Sequence, residues 1–272
     1  MVHIFLNYLK KKWKGGIIAP ISLGLFIPLI AVIWPEMRKA SEVFTTILES
    51  PIYQAMLGEL GLIDISQWSG AFQMYIFLIL EYFLLFTTIF VTTKIITSEI
   101  DKKTLDVMLS YPIPRWRFLL EKFGGYLFYC LLYPLVIMLF TFASTKYVQY
   151  NNAHLNVEID YIALTYALIG TWMLFFSLGA LALLCSVILL DSRKAVVGSA
   201  AVIFGMYLLN RIGGMTESVE FIKYFSVFNY MDPNSIMSSG TFPVGDFFIL
   251  LGVGLAALVV ALIIFQKREL KY

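Results

Sequence analysis

Six apolar runs, each near the length that crosses a lipid bilayer, constrain this chain more than any other feature. The runs are approximately residues 15–34, 72–93, 123–145, 162–190, 195–209 and 247–265. A bilayer core is about 30 Å thick, and about 20 residues of α-helix cross it. Hydrophobic residues make up 60% of the chain and charged residues 14%, which is far more apolar than a typical soluble domain. The sequence predicts an all-α integral membrane protein with six transmembrane helices in a single domain, residues 1–272.

The basic residues predict the orientation of these helices. Cytoplasmic loops of membrane proteins are enriched in Lys and Arg. If both termini are cytoplasmic, all but five of the 20 basic residues lie on the cytoplasmic side. The exceptions are Arg38, Lys39, Lys146, Arg211 and Lys223. We therefore expect the N-terminus and the C-terminus to be inside.

The residues before the first run have a pattern of their own. Apolar residues recur there at a spacing of three or four, with lysines between them; they are Val2, Phe5, Leu6, Leu9 and Trp13. This pattern is typical of a helix that lies in the membrane interface, and a charged tail that only flanks a span is the alternative. A signal peptide fits less well, because its apolar core would be about 7–15 residues long.

The connection between the second and third runs, residues 98–122, is charged and structured. Ser98 can cap a helix that carries Glu99 and Asp101 in its first turn, where the helix dipole favours acids. Pro112 and Pro114 end that helix, because neither can donate a backbone hydrogen bond. The sequence predicts a short amphipathic helix followed by a rigid elbow at the cytoplasmic surface. A solvated turn that only sets the topology is the alternative.

The same connection resembles that of the type-two ABC transporter permeases, the exporter-like transmembrane subunits. That family shows an acid, Thr-Leu, an aliphatic pair, Pro-Ile-x-Arg, and a Lys before the third span. The matching residues are Glu99, Thr104, Leu105, Met108, Leu109, Pro112, Ile113, Arg115 and Lys122. Lys103 departs from the pattern, because a small residue commonly stands there. Weaker resemblances follow in the expected order at residues 191–194, 228–233 and 265–270.

The resemblance implies a permease subunit of an ATP-binding cassette exporter in a prokaryotic plasma membrane. The connection would be a coupling helix that docks on a separate ATPase subunit. Two permease chains, identical or related, would work with two ATPase subunits, which would bind ATP and Mg²⁺. The coupling residues would be Glu99, Thr104, Leu105, Met108, Leu109, Pro112 and Arg115.

The residues before the sixth run are the next candidate site. Residues 221–228 are too apolar for an exposed outer loop. The resemblance implies short re-entrant outer helices at this point. Irregular backbone at membrane depth must be covered by protein or water, so such helices would have to pack on the rest of the protein. Tyr224 and Phe225 are therefore candidate gate residues.

Glu81 lies near the middle of the second run, where an acid costs about 2.5–3.5 kcal/mol on insertion scales. It must face protein, water or a partner chain. A gate or pathway residue in a dimer is one interpretation. The other is a packing acid that is hydrogen-bonded to Tyr82, Thr87 or Thr88. The sequence does not decide between them.

Other site types find no support in the sequence. We expect no catalytic residue and no metal site, since Cys130 and Cys185 fall inside predicted helices and have no metal-ligand neighbours. There is no Gly-rich phosphate loop, so the energy for transport would come from a partner. Membrane lipid is an expected partner and nucleic acid is not. An ATP-independent channel or secondary transporter, or a membrane scaffold that relays ATPase motion to another protein, are the alternatives.

Small residues in the fifth run suggest close helix contacts. They form overlapping pairs four residues apart, a spacing that lets helix backbones approach closely in membranes. The residues are Ala195, Ser199, Ala201 and Gly205. Packing inside the subunit and a contact between two subunits are both consistent with this pattern.

Overall fold

The computed structural model describes residues 4–39, 64–101, 114–152, 157–214 and 217–268. All secondary structure within these ranges is helical. Six helices are long and apolar enough to cross a membrane, and we call them spans 1 to 6. In order they are Ile4–Lys39, Trp68–Asp101, Arg115–Asn151, Tyr161–Leu189, Ser192–Gly213 and Val244–Lys267. The predicted all-α architecture and the six predicted spans are confirmed, and their orientation stays a prediction.

Spans 1 and 5 are longer than their apolar runs. Span 1 consists of the helices Ile4–Gly24 and Phe26–Lys39, so the lysine-rich residues that we expected in an interfacial helix continue directly into the span. Their position in the interface stays a prediction. Span 5 has 22 residues, because polar residues at both ends of the apolar run are helical as well.

Span 2 is not a uniform α-helix. Its α-helical parts are Trp68–Phe72, Leu78–Thr87 and Lys94–Asp101. Between them lie two π-helical turns, Gln73–Phe77 and Thr88–Thr92. A π turn closes its hydrogen bond one residue later than an α turn, and such turns often mark functional sites.

Span 4 lies at the centre of the bundle, where it packs against spans 3, 5 and 6. Its close contact with span 6 requires a glycine, because a Cβ on Gly254 would lie 2.4 Å from the Phe176 ring. Ser177 donates a hydrogen bond to the Leu250 carbonyl at 2.9 Å, which links the two helices in the apolar core. Spans 1 and 3 form the second closely packed pair.

Acidic N-caps position the connections between the later helices. Asp160 caps span 4, Asp191 caps span 5, and Asp232 caps the short helix Pro233–Ser239. A backbone hydrogen bond from Lys194 lowers the pKa of Asp191. Leu190, with a φ of 54°, makes the turn between spans 4 and 5 tight.

The described residues between spans 5 and 6 form three short helices. Two are 3₁₀ helices, Glu217–Phe225 and Val227–Asn229, and the third is Pro233–Ser239. The first packs against span 5 and the last packs against span 4. This segment is therefore folded onto the bundle, although its depth in a membrane stays a prediction.

Candidate functional site

Five of the predicted coupling residues lie outside the described residues. They are Thr104, Leu105, Met108, Leu109 and Pro112. Glu99 and Arg115, which flank that segment, are described, and so are the candidate gate residues Glu81, Tyr224 and Phe225. Glu99 and Arg115 lie at the ends of spans 2 and 3, Glu81 lies inside span 2, and Tyr224 and Phe225 are neighbours between spans 5 and 6.

Glu99 belongs to a buried ion-pair cluster with Lys11 and Lys122, which we call the Glu99 cluster. The Lys122 Nζ lies 3.1 Å from the Glu99 Oε1, and both side chains are only 6% exposed. The Lys11 Nζ lies 3.4 Å from the same oxygen. Lys122 also donates to the Ile95 carbonyl at 3.1 Å and lies over the Phe118 ring, 4.5 Å from its centroid. The cluster joins spans 1, 2 and 3 at one end of the bundle.

The Glu99 cluster fixes the two helix ends that flank residues 102–113. Glu99 lies in the last turn of span 2, and Lys122 lies two turns into span 3. Arg115, at the start of span 3, donates to the Arg268 carbonyl beyond span 6 at 2.9 Å. Arg268 in turn donates to the Val187 carbonyl of span 4 at 2.9 Å. Polar contacts therefore connect the two helix ends that flank residues 102–113 to span 1, to span 4 and to the residue that follows span 6.

Glu81 pairs with a residue that sequence reasoning did not assign to it. Its carboxylate accepts a hydrogen bond from Arg211 near the end of span 5. The Arg211 guanidinium also lies over the Tyr207 ring, 5.2 Å from the centroid. Asp232 is close enough to interact electrostatically with Arg211. We call Glu81, Tyr207, Arg211 and Asp232 the Glu81 cluster.

The hydrogen-bond partners that we expected for Glu81 have other contacts. Thr87 bonds to the Tyr133 hydroxyl at 2.9 Å and Thr88 to the Tyr126 hydroxyl at 3.3 Å, while Tyr82 is 44% exposed. The sequence did contain a signal for the true partner. An acid inside a membrane span requires a counter-charge, and Arg211 was one of the few basic residues on the predicted outer side.

Asp232 is the acid of the Glu81 cluster that lies outside the six spans. Burial raises the pKa of its carboxyl group, and hydrogen bonds from the backbone of Ser235 and Asn234 and the charge of Arg211 oppose that rise. Asp232 is also the N-cap of the helix Pro233–Ser239. Asp232 thus connects the segment between spans 5 and 6 electrostatically to the Glu81–Arg211 pair.

The π turn at Thr88–Thr92 determines which neighbour each acid of span 2 faces. Glu81 and Glu99 are 18 residues apart, which in an α-helix with about 3.6 residues per turn is five whole turns. In a regular helix both side chains would lie on the same face. The additional residue of the π turn rotates one half by about 100° relative to the other. As a result Glu81 faces span 5 and Glu99 faces spans 1 and 3.

Tyr224 and Phe225 lie on the surface of the chain, where they are 55% and 71% exposed. Val227 and Phe228, which follow closely in the same segment, are buried, each 3% exposed. The Phe228 ring makes an edge contact with Tyr207, with 5.7 Å between the centroids. Phe228 therefore contacts Tyr207 of the Glu81 cluster, while Tyr224 and Phe225 lie on the surface.

Comparison with protein families decides the class of this molecule. The family model described as ABC-2 family transporter protein matches residues 23–270, nearly the whole chain. The chain belongs to the ABC-2 transporter family. No curated protein matches it significantly.

Membership of the ABC-2 family confirms the resemblance found at the coupling segment. The chain is a multi-pass membrane permease, and ABC-2 permeases work with ABC ATPase subunits. Within the described parts of this ABC-2 protein, no group of three or more His, Cys, Asp or Glu side chains could hold a metal ion.

Proposed function

We propose that this chain is the permease subunit of an ABC exporter that is powered by separate ATPase subunits. The observation that carries the proposal is the family match over residues 23–270. The working unit would contain two permease chains and two ATPase subunits, with ATP and Mg²⁺ bound on the ATPases. Both termini would lie on the cytoplasmic side of a prokaryotic plasma membrane, in agreement with the distribution of basic residues.

The ATPase would dock on residues 102–113 and the adjoining helix ends. The apolar side chains of Leu105 and Met108 would fill a groove on the ATPase. The Glu99 cluster supports this assignment, because it holds the end of span 2 and the start of span 3 rigidly together on either side of the segment. A buried ion pair is a costly way to stabilise a protein, and its best attested use is to specify one geometry. Here that geometry is the spacing between the ends of spans 2 and 3.

Co-purification tests the docking assignment. The double variant Leu105→Asp and Met108→Asp should lose the ATPase while the permease still inserts, because two charges cannot be buried in an apolar groove. The control is Gln266→Asp, which adds an acid to an exposed position at the end of span 6. If the double variant still co-purifies with the ATPase as the control does, the docking segment lies elsewhere.

A dimer of permeases is supported by the exposed face of span 5. Val197 and Phe204 are 68% and 50% exposed, and a Cβ on Gly205 would meet no atom within 4 Å. Ala195 and Ser199, by contrast, are fully buried within the chain. The small residues of span 5 thus divide between packing inside the chain and an open surface that a second copy would cover.

Cysteine cross-linking tests the dimer. In a variant with Cys130 and Cys185 replaced by Ala, Gly205→Cys should give cross-linked dimers with a short bismaleimide. Leu255→Cys on span 6, also exposed at 46%, is the control and should remain monomeric. Equal cross-linking at both positions would indicate random collision and remove span 5 from the interface.

Glu81, Tyr224 and Phe225 would line or close the exit pathway at the predicted outer side. The contact between Phe228 and Tyr207 supports this role. Through that contact, a movement of the segment between spans 5 and 6 would displace Tyr207, which lies beside the Glu81–Arg211 pair. Substrate flux in vesicles that contain both subunits distinguishes this exporter from a scaffold. ATP-dependent flux is the expected result, and flux without ATP would indicate a channel or secondary transporter.

A further inference from the structure

A surface groove lies between the start of span 1 and span 3. It is shallow and open to the surroundings, and it is lined by Leu9, Lys10, Trp13 and Tyr129. The Tyr129 hydroxyl donates to the Leu9 carbonyl at 2.5 Å, which holds the ring in the floor of the groove. Gly16 allows the helices to approach here, because a Cβ at that position would lie 2.2 Å from the Tyr129 ring.

The start of span 1, which forms one side of this groove, is rich in lysine. Lys10, Lys11, Lys12 and Lys14 fall within five residues, and no acid precedes Glu36 in the sequence. Lys11 is engaged by the Glu99 cluster. Within the described ranges no acidic side chain pairs with Lys10 or Lys14. The Lys14 Nζ lies 5.9 Å from the centroid of the Trp13 ring. Because neither lysine pairs with a described acid, both are available to an anion.

The groove lies at the boundary between a basic and an apolar surface. Beyond Lys14 the outward side chains of span 1 are aliphatic, with Ile18 at 63% and Leu25 at 55% exposure. Trp13, 53% exposed, lies at the boundary itself, which is where aromatic residues of membrane proteins meet the lipid headgroups. An occupant of this groove therefore meets cations at one end and hydrocarbon along the rest.

We propose that this groove binds an anionic phospholipid. Lys10 and Lys14 hold the headgroup phosphate, the Trp13 indole packs at headgroup level, and an acyl chain follows the exposed aliphatic side of span 1. A lipid with net negative charge is favoured over a zwitterionic one, because the cationic headgroup of the latter would lie beside the lysines. The proposal concerns a structural ligand and does not depend on what the permease transports.

Native mass spectrometry of the full-length chain tests this site. The protein is taken from nanodiscs of phosphatidylglycerol and phosphatidylcholine, and the retained lipids are counted. Wild type should retain phosphatidylglycerol preferentially. The double variant Lys10→Gln and Lys14→Gln should bind it about 30-fold more weakly, as expected from the attraction of two lysines to an anionic headgroup. The control variant Lys146→Gln and Lys267→Gln removes two exposed lysines elsewhere and should bind it as wild type does.

Three results would overturn the proposal. Equal retention of phosphatidylglycerol by the groove variant and the control would show that the groove is not the site. Equal retention of phosphatidylcholine by wild type would indicate an apolar lipid belt without headgroup recognition. If soluble glycerol 3-phosphate raised the melting temperature as much as the lipid does, the site would bind a soluble phosphoester. The melting temperature of each variant in pure phosphatidylcholine nanodiscs verifies that it is folded.

Discussion

The ion pair between Glu81 and Arg211 should contribute measurably to stability, and its size can be estimated from burial. The Glu81 side chain is 13% exposed and the Arg211 side chain 25%. Breaking a fully buried pair costs about 3–5 kcal/mol, whereas an exposed pair is worth about 0–1 kcal/mol. A pair that is buried to this degree lies nearer the upper range, so Arg211→Gln should lower the free energy of unfolding by about 2–4 kcal/mol.

A double-mutant cycle separates the pair from its surroundings. Arg211→Gln also removes the contact with Tyr207, which is worth about 0.5–1 kcal/mol. The double variant Glu81→Gln and Arg211→Gln removes both charges of the pair, so it should be more stable than the less stable of the two single variants. Lys146→Gln, which removes an exposed cation, should melt like wild type. If the effects of the two single changes simply add in the double variant, the pair has no coupling energy and the reasoning from burial is wrong.

The same variants distinguish the two interpretations of Glu81. A carboxylate that acts in the exit pathway should lose or alter transport in Glu81→Gln, because the amide keeps the shape but not the charge. ATP hydrolysis by the complex should continue in that variant. Unchanged transport by both Glu81→Gln and Glu81→Leu would leave Glu81 as a packing residue whose role ends with Arg211.

Three further predictions concern other parts of the molecule. Lys122→Gln should reduce stability and uncouple ATP hydrolysis from transport without loss of the ATPase in pull-downs, whereas Lys11→Gln should be mild because the Lys11 side chain is 55% exposed. Gly16→Ala should lower the melting temperature, since overpacking costs about 1–3 kcal/mol; Gly15→Ala, where a Cβ meets nothing within 4 Å, should be neutral or slightly stabilising. The stability of the wild type should fall as the pH rises above about 4, the ordinary pKa of Asp. In Asp232→Asn this fall should be absent. The unfolded chain releases that proton first, so in this window it binds fewer protons than the folded chain and stability falls as pH rises. Unfolding of wild type and Asp232→Asn across pH measures this difference.

The long helices were predictable from the sequence because hydropathy records burial in lipid directly. All six apolar runs correspond to helices in the structure. The helix ends were less predictable, as span 5 shows. Its apolar run covers about 15 residues, but capping by Asp191 lets the helix begin at Ser192, before the run starts. Arg211 extends it at the other end, because its charge is neutralised by Glu81.

The contacts between helices could not be read from the sequence in the same way. Glu99 and Lys122 were both part of the motif that indicated the family, but nothing in their spacing showed that their side chains meet. The π turns of span 2 were also unpredicted, because one additional residue in a helical turn changes neither hydropathy nor composition. The pairing of Glu81 with Arg211 depends on such a turn and on the packing of span 5, so only the need for a counter-charge was foreseeable.

The π turn at Thr88–Thr92 also affects how the gene for this permease can change. Because the turn holds one residue more than an α-helix needs, the 18 residues from Glu81 to Glu99 cover the angle of about 17 α-helical residues. Deleting one residue within the turn would restore a regular α-helix and leave both acids facing their present partners. Losing a second residue between the two acids would rotate Glu99 by about 100° relative to Glu81 and turn it away from Lys122. Span 2 therefore holds one residue that evolution can remove without changing the register between the two acids.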